Sequence, residues 1–163
     1  MYAPRRQNRH ALVTVLLCIV LAALCFWAAS VSGYRLPFQI AGVAAAVTGI
    51  ELAWRYLFCE YLYVLSPSDS GRNDLAIVRV QGKKRVTVAN FSLNEAIGIA
   101  HSSLPRAERD AQYGKPYFSA DFTVDLFASD TFDLYLYFQN KTMRVRLQCD
   151  GTFAESVRSR IPG

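Results

Sequence analysis

At 163 residues the chain has room for one domain, or for a small domain with an appended segment. A composition of 52% hydrophobic and 19% charged residues excludes a disordered chain or a basic nucleic-acid arm, and four cysteines are too few for a disulfide-stapled scaffold. The net charge of +5 belongs to one end. Residues 1–59 hold five Lys and Arg against one acid, and residues 60–163 hold thirteen against twelve.

Residues 1–10 form a basic flank carrying Arg5, Arg6 and Arg9. From Ala11 to Tyr34 there follow 24 residues without a charge. As a helix this stretch reaches about 36 Å, enough to cross a hydrocarbon core of about 30 Å. The basic front also suits a secretion signal, but the apolar run is longer than the roughly 7–15 residues of a signal, and Ala28-Ala29-Ser30 is a poor cleavage site. A first transmembrane helix is expected over about residues 11–31.

The short polar connection Ser32 to Pro37 then turns the chain into a second apolar stretch, expected to span about residues 36–57. Glu51 and Arg55, four residues apart, suit an interfacial ion pair, with Trp54 and Tyr56 as aromatic anchors at the same depth. An acid inside a span can instead mark an ion or proton path, which would make the protein a small transport or channel accessory. Three arginines before the first span against one in the connection place both the N-terminus and everything after the second span in the cytoplasm. Cys18, Ala22, Cys25 and Ala29 on the first helix, and Gly42, Ala45 and Gly49 on the second, form small-residue stripes. Such stripes serve close packing of the two helices or homo-oligomerisation.

From residue 59 to 163 the pattern changes to period two. Tyr61–Leu65 reads as a short strand, and Leu75–Gln81 and Arg85–Phe91 flank Gly82-Lys83-Lys84 as a hairpin. FSLNEAIGIAH, residues 91–101, fits neither period cleanly. The polar stretch Ser102–Pro116, with RAERD at 106–110, reads as a surface loop or a single helical turn.

Three strands are then expected as an antiparallel meander: Phe118 to Leu126, Phe132 to Phe138, and Thr142 to Cys149. A turn centred on Asn140-Lys141 would pair Tyr137 with Arg144 and Tyr135 with Arg146 on a solvated outer face, where Asp121 and Asp125 also lie. Thr152-Phe153-Ala154-Glu155 is a capping box opening a last amphipathic helix with Phe153, Val157 and Ile161 on one stripe. The whole is an α+β membrane protein: a transmembrane helical hairpin followed by a curved antiparallel sheet or barrel of six or seven strands, capped by a C-terminal helix.

A transmembrane hairpin followed by YLYVL…LAIVRVQGKKRVTVANFSLNEAIGI…FDLYLYFQNKTMRVRLQCDGTFAESVRSRI resembles small bacterial membrane proteins with a C-terminal PH-like domain. The likeness covers about residues 56–163 and rests on strand order, the Gly82-Lys83-Lys84 turn and the final helix. It implies a seven-stranded PH-like barrel without catalytic residues, acting in binding or scaffolding. The polar stretch 102–116 departs from that pattern.

The sequence carries no Gly-rich phosphate loop, nucleophile elbow or zinc-ligand spacing, so no catalytic, metal or cofactor site is expected and the chain does not read as an enzyme. Cys59 and Cys149 read as buried thiols. Lys83, Lys84 and Arg85 form a basic hairpin tip suited to anionic lipid headgroups. The expected function is a membrane-anchored cytoplasmic module that binds a protein or peptide partner, with lipid sensing through this tip as the alternative; nucleic acid is not expected as a partner.

Overall fold

In the computed structural model, residues 1–4, 8–67 and 73–162 are described. The chain divides into a helical unit, residues 6–59 with 125–127, and a β unit that takes in residues 1–5, 60–124 and 128–163.

The helical unit is built from α1 (Asn8–Val31) and α2 (Arg35–Ala53), the latter extended by a π-helical turn over Trp54–Phe58. Pro37 falls in the first turn of α2, where a missing N–H breaks no helical hydrogen bond. The helices run antiparallel and meet through small residues. A Cβ added at Gly49 would lie 3.0 Å from the Cβ of Cys18, and one at Gly42 would lie 3.2 Å from the Phe26 ring and 3.3 Å from Cys25. Ala22 and Ala29 are buried along the same seam. The stripes read from the sequence therefore face each other within the hairpin. A groove of about 320 Å³ lined by Ile19, Ala22, Ala45 and Gly49 runs along one side. The outward faces carry Leu17, Leu24, Trp27, Ile40, Val43 and Ile50, all exposed. Both helices are long and apolar enough to cross a membrane, with mean hydropathy of 2.8 and 1.5.

The β unit holds two sheets. β1 (Glu60–Pro67), β2 (Asn73–Gln81) and β3 (Lys84–Ser92) form an antiparallel meander whose β2–β3 connection is the expected hairpin, Gln81 pairing with Lys84. The ambiguous stretch 91–101 resolves into the end of β3, one 3₁₀ turn over Leu93–Glu95, and β4 (Ala96–His101). The second sheet has the order β4-β6-β7-β5, with β5 (Phe118–Asp121), β6 (Thr131–Phe138) and β7 (Lys141–Gln148). Tyr63, Leu75 and Ile77 from the first sheet meet Leu134, Val145 and Leu147 from the second in one core. Helix α4 (Gly151–Arg158) closes it with Phe153 and Val157, and Ile161 packs against it beyond the helix end.

Four expectations are corrected. The strand expected from Phe118 to Leu126 ends at Asp121, whose Oδ1 accepts hydrogen bonds from the Thr123 amide at 2.9 Å and its hydroxyl at 2.8 Å. That local turn competes with the ladder and ends the strand. β5 then pairs with β7 in parallel, on the far side from β6, so the sheet is mixed and the three strands are not an antiparallel meander. The β6–β7 turn centres on Gln139-Asn140, with φ of 50° and 61°, instead of Asn140-Lys141. Two left-handed residues match the twist of a tight hairpin, and the pairing moves by two: Asp133 faces Arg146 and Tyr135 faces Arg144. Finally, the cap of α4 is Asp150, whose carboxylate accepts the Phe153 amide at 2.8 Å, while the Thr152 hydroxyl donates to that same carboxylate.

The polar stretch 102–116 is also more ordered than a loop. It forms α3 (Arg106–Tyr113), a two-turn helix over the outer face of the four-stranded sheet. Tyr113 stacks on Tyr135 with ring centroids 4.8 Å apart and planes 17° from parallel. The close approach requires glycine in β4, because a Cβ at Gly98 would lie 2.4 Å from the Tyr113 ring. Gly98→Ala is expected to destabilise the β unit by about 1–3 kcal/mol through this overlap, and adding Tyr113→Ala should recover part of the loss. Thermal unfolding of the full chain in detergent, run as a double-mutant cycle, measures this; simple additivity would mean the two positions do not communicate.

Candidate functional site

On the face that α3 covers, Asp133 is fully buried and Arg109 is 5% exposed. Arg109 donates through Nη1 to Asp133 Oδ2. Arg146 donates from Nε to Oδ1 at 2.8 Å and from Nη2 to Oδ2 at 3.3 Å. Arg144 stands with Nη1 3.9 Å from Oδ2, and its Nε and Nη2 donate to the Ser119 hydroxyl at 3.1 and 2.9 Å. The bond to Asp133 pushes the Arg146 guanidinium above its ordinary pKa. Three hydrogen bonds from two arginines therefore engage both oxygens of this buried carboxylate. Its role is to hold α3 on the sheet.

Two further buried groups organise the core. The Tyr63 hydroxyl donates to the Phe122 carbonyl at 2.9 Å and accepts the Gln148 amide at 3.1 Å, tying the two sheets together. Burial pushes its pKa up. Cys149 is buried as expected, and desolvation raises its thiol to about 12, which keeps it protonated and unreactive. Cys59 is buried as well.

Segment 1–4 belongs to this unit. Tyr2 forms an antiparallel bridge with Tyr63, its amide donating at 2.7 Å and its carbonyl accepting at 2.9 Å. Its ring stacks on Phe153 at 4.7 Å, and its hydroxyl accepts the Asp150 amide at 3.0 Å. Part of the outer edge of β1 is thereby covered by the chain itself.

β3 is the other edge of the three-stranded sheet. It is nine residues long, and Lys84 to Val88 are all exposed, with Val86 at 51% and Val88 at 38%. The pairing slips beside Val88, where Ile77 pairs with Ala89 but Val78 with Thr87. Lys83, Lys84 and Arg85 project at the tip of the same hairpin, where Gly82 supplies a φ of +58°. A second exposed surface joins Tyr117, Phe118, Tyr137 and Phe138 at the β6–β7 turn, with the Lys141 ammonium 3.8 Å from the centre of the Tyr117 ring.

Glu51 and Arg55 sit at the end of the second helix, Glu51 exposed in the last turn of α2 and Arg55 in the π-helical turn. The Arg55 guanidinium lies 5.2 Å from the Tyr56 ring centre. Asp121 is exposed in β5, as period two implies, but Asp125 is 6% exposed, in the irregular segment after β5 and not on a solvated strand face. Sequence reasoning missed the Asp133–arginine group and the aromatic surface. The available signal for the first was an aspartate inside an otherwise apolar strand. Among the described residues no three His, Cys, Asp or Glu side chains gather as a metal site would require.

Compared with known protein families, curated proteins and solved structures, the chain matches none.

Asp133→Ala leaves three guanidinium groups without their shared carboxylate and is expected to cost about 3–5 kcal/mol. Arg106→Ala, which removes an exposed 3.6 Å pair with Asp110, should cost less than about 1 kcal/mol. Comparison of unfolding midpoints separates the two. pH supplies a second check. Cys149, Tyr63, Tyr135 and Tyr2 all hold their protons more tightly in the folded state, burial being the main cause. The Cys149 contribution is complete below pH 9.0, the ordinary thiol value, and is lost as pH rises toward about 12, whereas the tyrosine contributions are complete below pH 10.0 and are lost above it. Cys149→Ala should therefore delay the onset of alkaline destabilisation toward pH 10.0, where the tyrosines of the unfolded chain ionise.

Proposed function

We propose that the chain is a membrane-anchored binding module. In this reading α1 and α2 span a bacterial cell membrane, and the β unit is a PH-like scaffold on the cytoplasmic side that recognises a protein or peptide partner. The observation that carries it is the edge strand β3, which is long and exposed and bears two exposed valines. Natural sheets blunt such edges with charges and bulges; β3 has Lys84 and Arg85 at one end and the slip beside Val88, and the exposed edge that remains can pair with an added strand. Binding by strand addition draws on main-chain groups, so it needs none of the side-chain constellations that mark an enzyme. Asp133, the buried carboxylate a catalytic reading would turn to first, has both oxygens engaged by arginines.

The membrane reading is supported by the outward faces of α1 and α2, where large apolar side chains stand where a water-soluble helix pair would present polar ones. It is supported also by Tyr2. The residues before α1 pack on the β unit that follows α2, as a hairpin that crosses and returns requires. The excess of arginine before the first span assigns that shared side to the cytoplasm.

Two measurements test the proposal. A reporter active only in the cytoplasm, fused after Gly163, should be active; an inactive fusion that is expressed and membrane-bound would place the β unit outside. A photo-crosslinking residue introduced at Val88 of the full chain in cell membranes should give one discrete adduct, absent when it is placed at Ser119. Val86→Lys should reduce the yield at least about tenfold, because a lysine on an edge strand disfavours pairing with an added strand. An adduct pattern identical at both positions would sink the edge-binding reading.

A further inference from the structure

The register of the three-stranded sheet decides which of its ends lies beside the exit from the helices. Glu60 opens β1 two residues after Phe58 closes the π-helical turn. Glu60 pairs with Val80, and Val80 pairs with Arg85 across β2. The turn Gly82-Lys83 therefore stands at the same end of the sheet as Glu60. With adjacent strands about 4.8 Å apart, Arg85 is about 10 Å from Glu60, and Lys83 and Lys84 are a residue or two farther on. Pairing keeps these three side chains at the end of the sheet where the chain enters it.

Charge is distributed unevenly along the same strands. Arg79, Lys83, Lys84 and Arg85 are all exposed near the Glu60 end, with Glu60 as the acid there. Among the described residues, the opposite end of these strands and the turn after β3 carry Asp74 and Glu95 and no base. The exposed ring of Trp54 in the π-helical turn is of the type that settles at the headgroup level of a bilayer, whereas Tyr56, the other expected anchor, is buried. The surface potential of an anionic leaflet reaches about one Debye length, roughly 8–10 Å, into the solution. Lysine and arginine side chains are long enough to extend into that layer.

We infer that Arg79, Lys83, Lys84 and Arg85 form a contact surface for the anionic phospholipid headgroups of the membrane that anchors the chain. The inference rests on the reading of α1 and α2 as membrane spans. The contact restrains the β unit at the bilayer by charge, and does so without selecting a headgroup, since an open two-residue turn offers no cradle for one.

The lysines of the chain supply the experiment. Lys83 and Lys84 lie at the tip; Lys115 and Lys141, also exposed, lie elsewhere on the β unit. The full chain is reconstituted in phosphatidylcholine nanodiscs, with or without about one-third phosphatidylglycerol, and acylated with a water-soluble amine reagent. Modification at each lysine is read by mass spectrometry. Lys83 and Lys84 should react about fivefold more slowly in the anionic discs. Phosphatidylserine at equal charge should give the same protection, and salt at about 1 M, where the Debye length falls to about 3 Å, should remove it. Equal rates at Lys83 and Lys84 in the two bilayers would overturn the inference, as would equal slowing at all four lysines. Protection that appears only when an acidic protein is added would transfer the surface to a protein partner. Extraction at alkaline pH separates the two levels: a chain released from the discs refutes the membrane spans, whereas a retained chain with unprotected lysines refutes the tip contact alone.

Discussion

The β unit is organised around one buried carboxylate. Asp133 occupies a position in β6 from which water is excluded, and a charge there is tolerated only with partners that neutralise and hydrogen-bond it. One partner, Arg146, comes from the neighbouring strand through the β6–β7 register, and a second, Arg109, descends from α3. Each contact presupposes a backbone decision elsewhere. Arg146 faces Asp133 because the turn is confined to Gln139 and Asn140. Arg109 reaches it because α3 lies close to the sheet, with Tyr113 in the space that Gly98 leaves open. Turn, glycine and helix thus form a mutually dependent set. Through these contacts one carboxylate joins α3, β6 and β7.

Much of the architecture was legible in the residues. The uncharged runs gave both long helices, because a hydrophobic stretch of that length has few other uses. The small residues at Gly42 and Gly49 lie on the seam because a glycine lets the helix backbones approach. The hairpin at Gly82-Lys83 was readable from its turn chemistry, and α4 from the spacing of Phe153 and Val157. What escaped was everything decided by tertiary packing. Period two in a sequence says that a strand has two different faces, and it was natural to assign the polar one to solvent. Tyr135 and Asp133 lie on that face, yet both are fully buried because α3 covers it. The helix itself was obscured by its composition: Arg-Ala-Glu-Arg-Asp carries almost no apolar residue, and its anchoring contact is an ion pair. The parallel placement of β5 was hidden for a similar reason, since Asp121 ends the strand through a hydrogen bond that alternation cannot reveal.

The same contrast explains why candidate site residues are unevenly legible. Lys83, Lys84 and Arg85 stand out as a run of like charge and lie exposed where a turn places them. The β3 edge leaves no such mark, because Val86, Thr87 and Val88 are ordinary strand residues in sequence. Only the order β1-β2-β3 shows that they end a sheet. The surface formed by Tyr117, Phe118, Tyr137 and Phe138 depends likewise on topology. Aromatic residues of strands are usually core, and these are exposed because they lie where the sheet runs past its cover.

The two edges of the three-stranded sheet meet different conditions. β1 receives a local bridge from Tyr2, whose ring and hydroxyl are both engaged, so that edge is partly occupied by the chain itself. β3 carries its basic residues at one end and uncharged residues over the remainder. A basic end disfavours in-register parallel pairing with a second copy of the same strand, which would set Lys84 and Arg85 beside their equivalents. It does not discourage a strand that carries acids, or one that pairs only with Val86 to Asn90. The distribution of charge along one strand therefore opposes parallel pairing with a second copy while leaving Val86 to Asn90 uncharged along the edge.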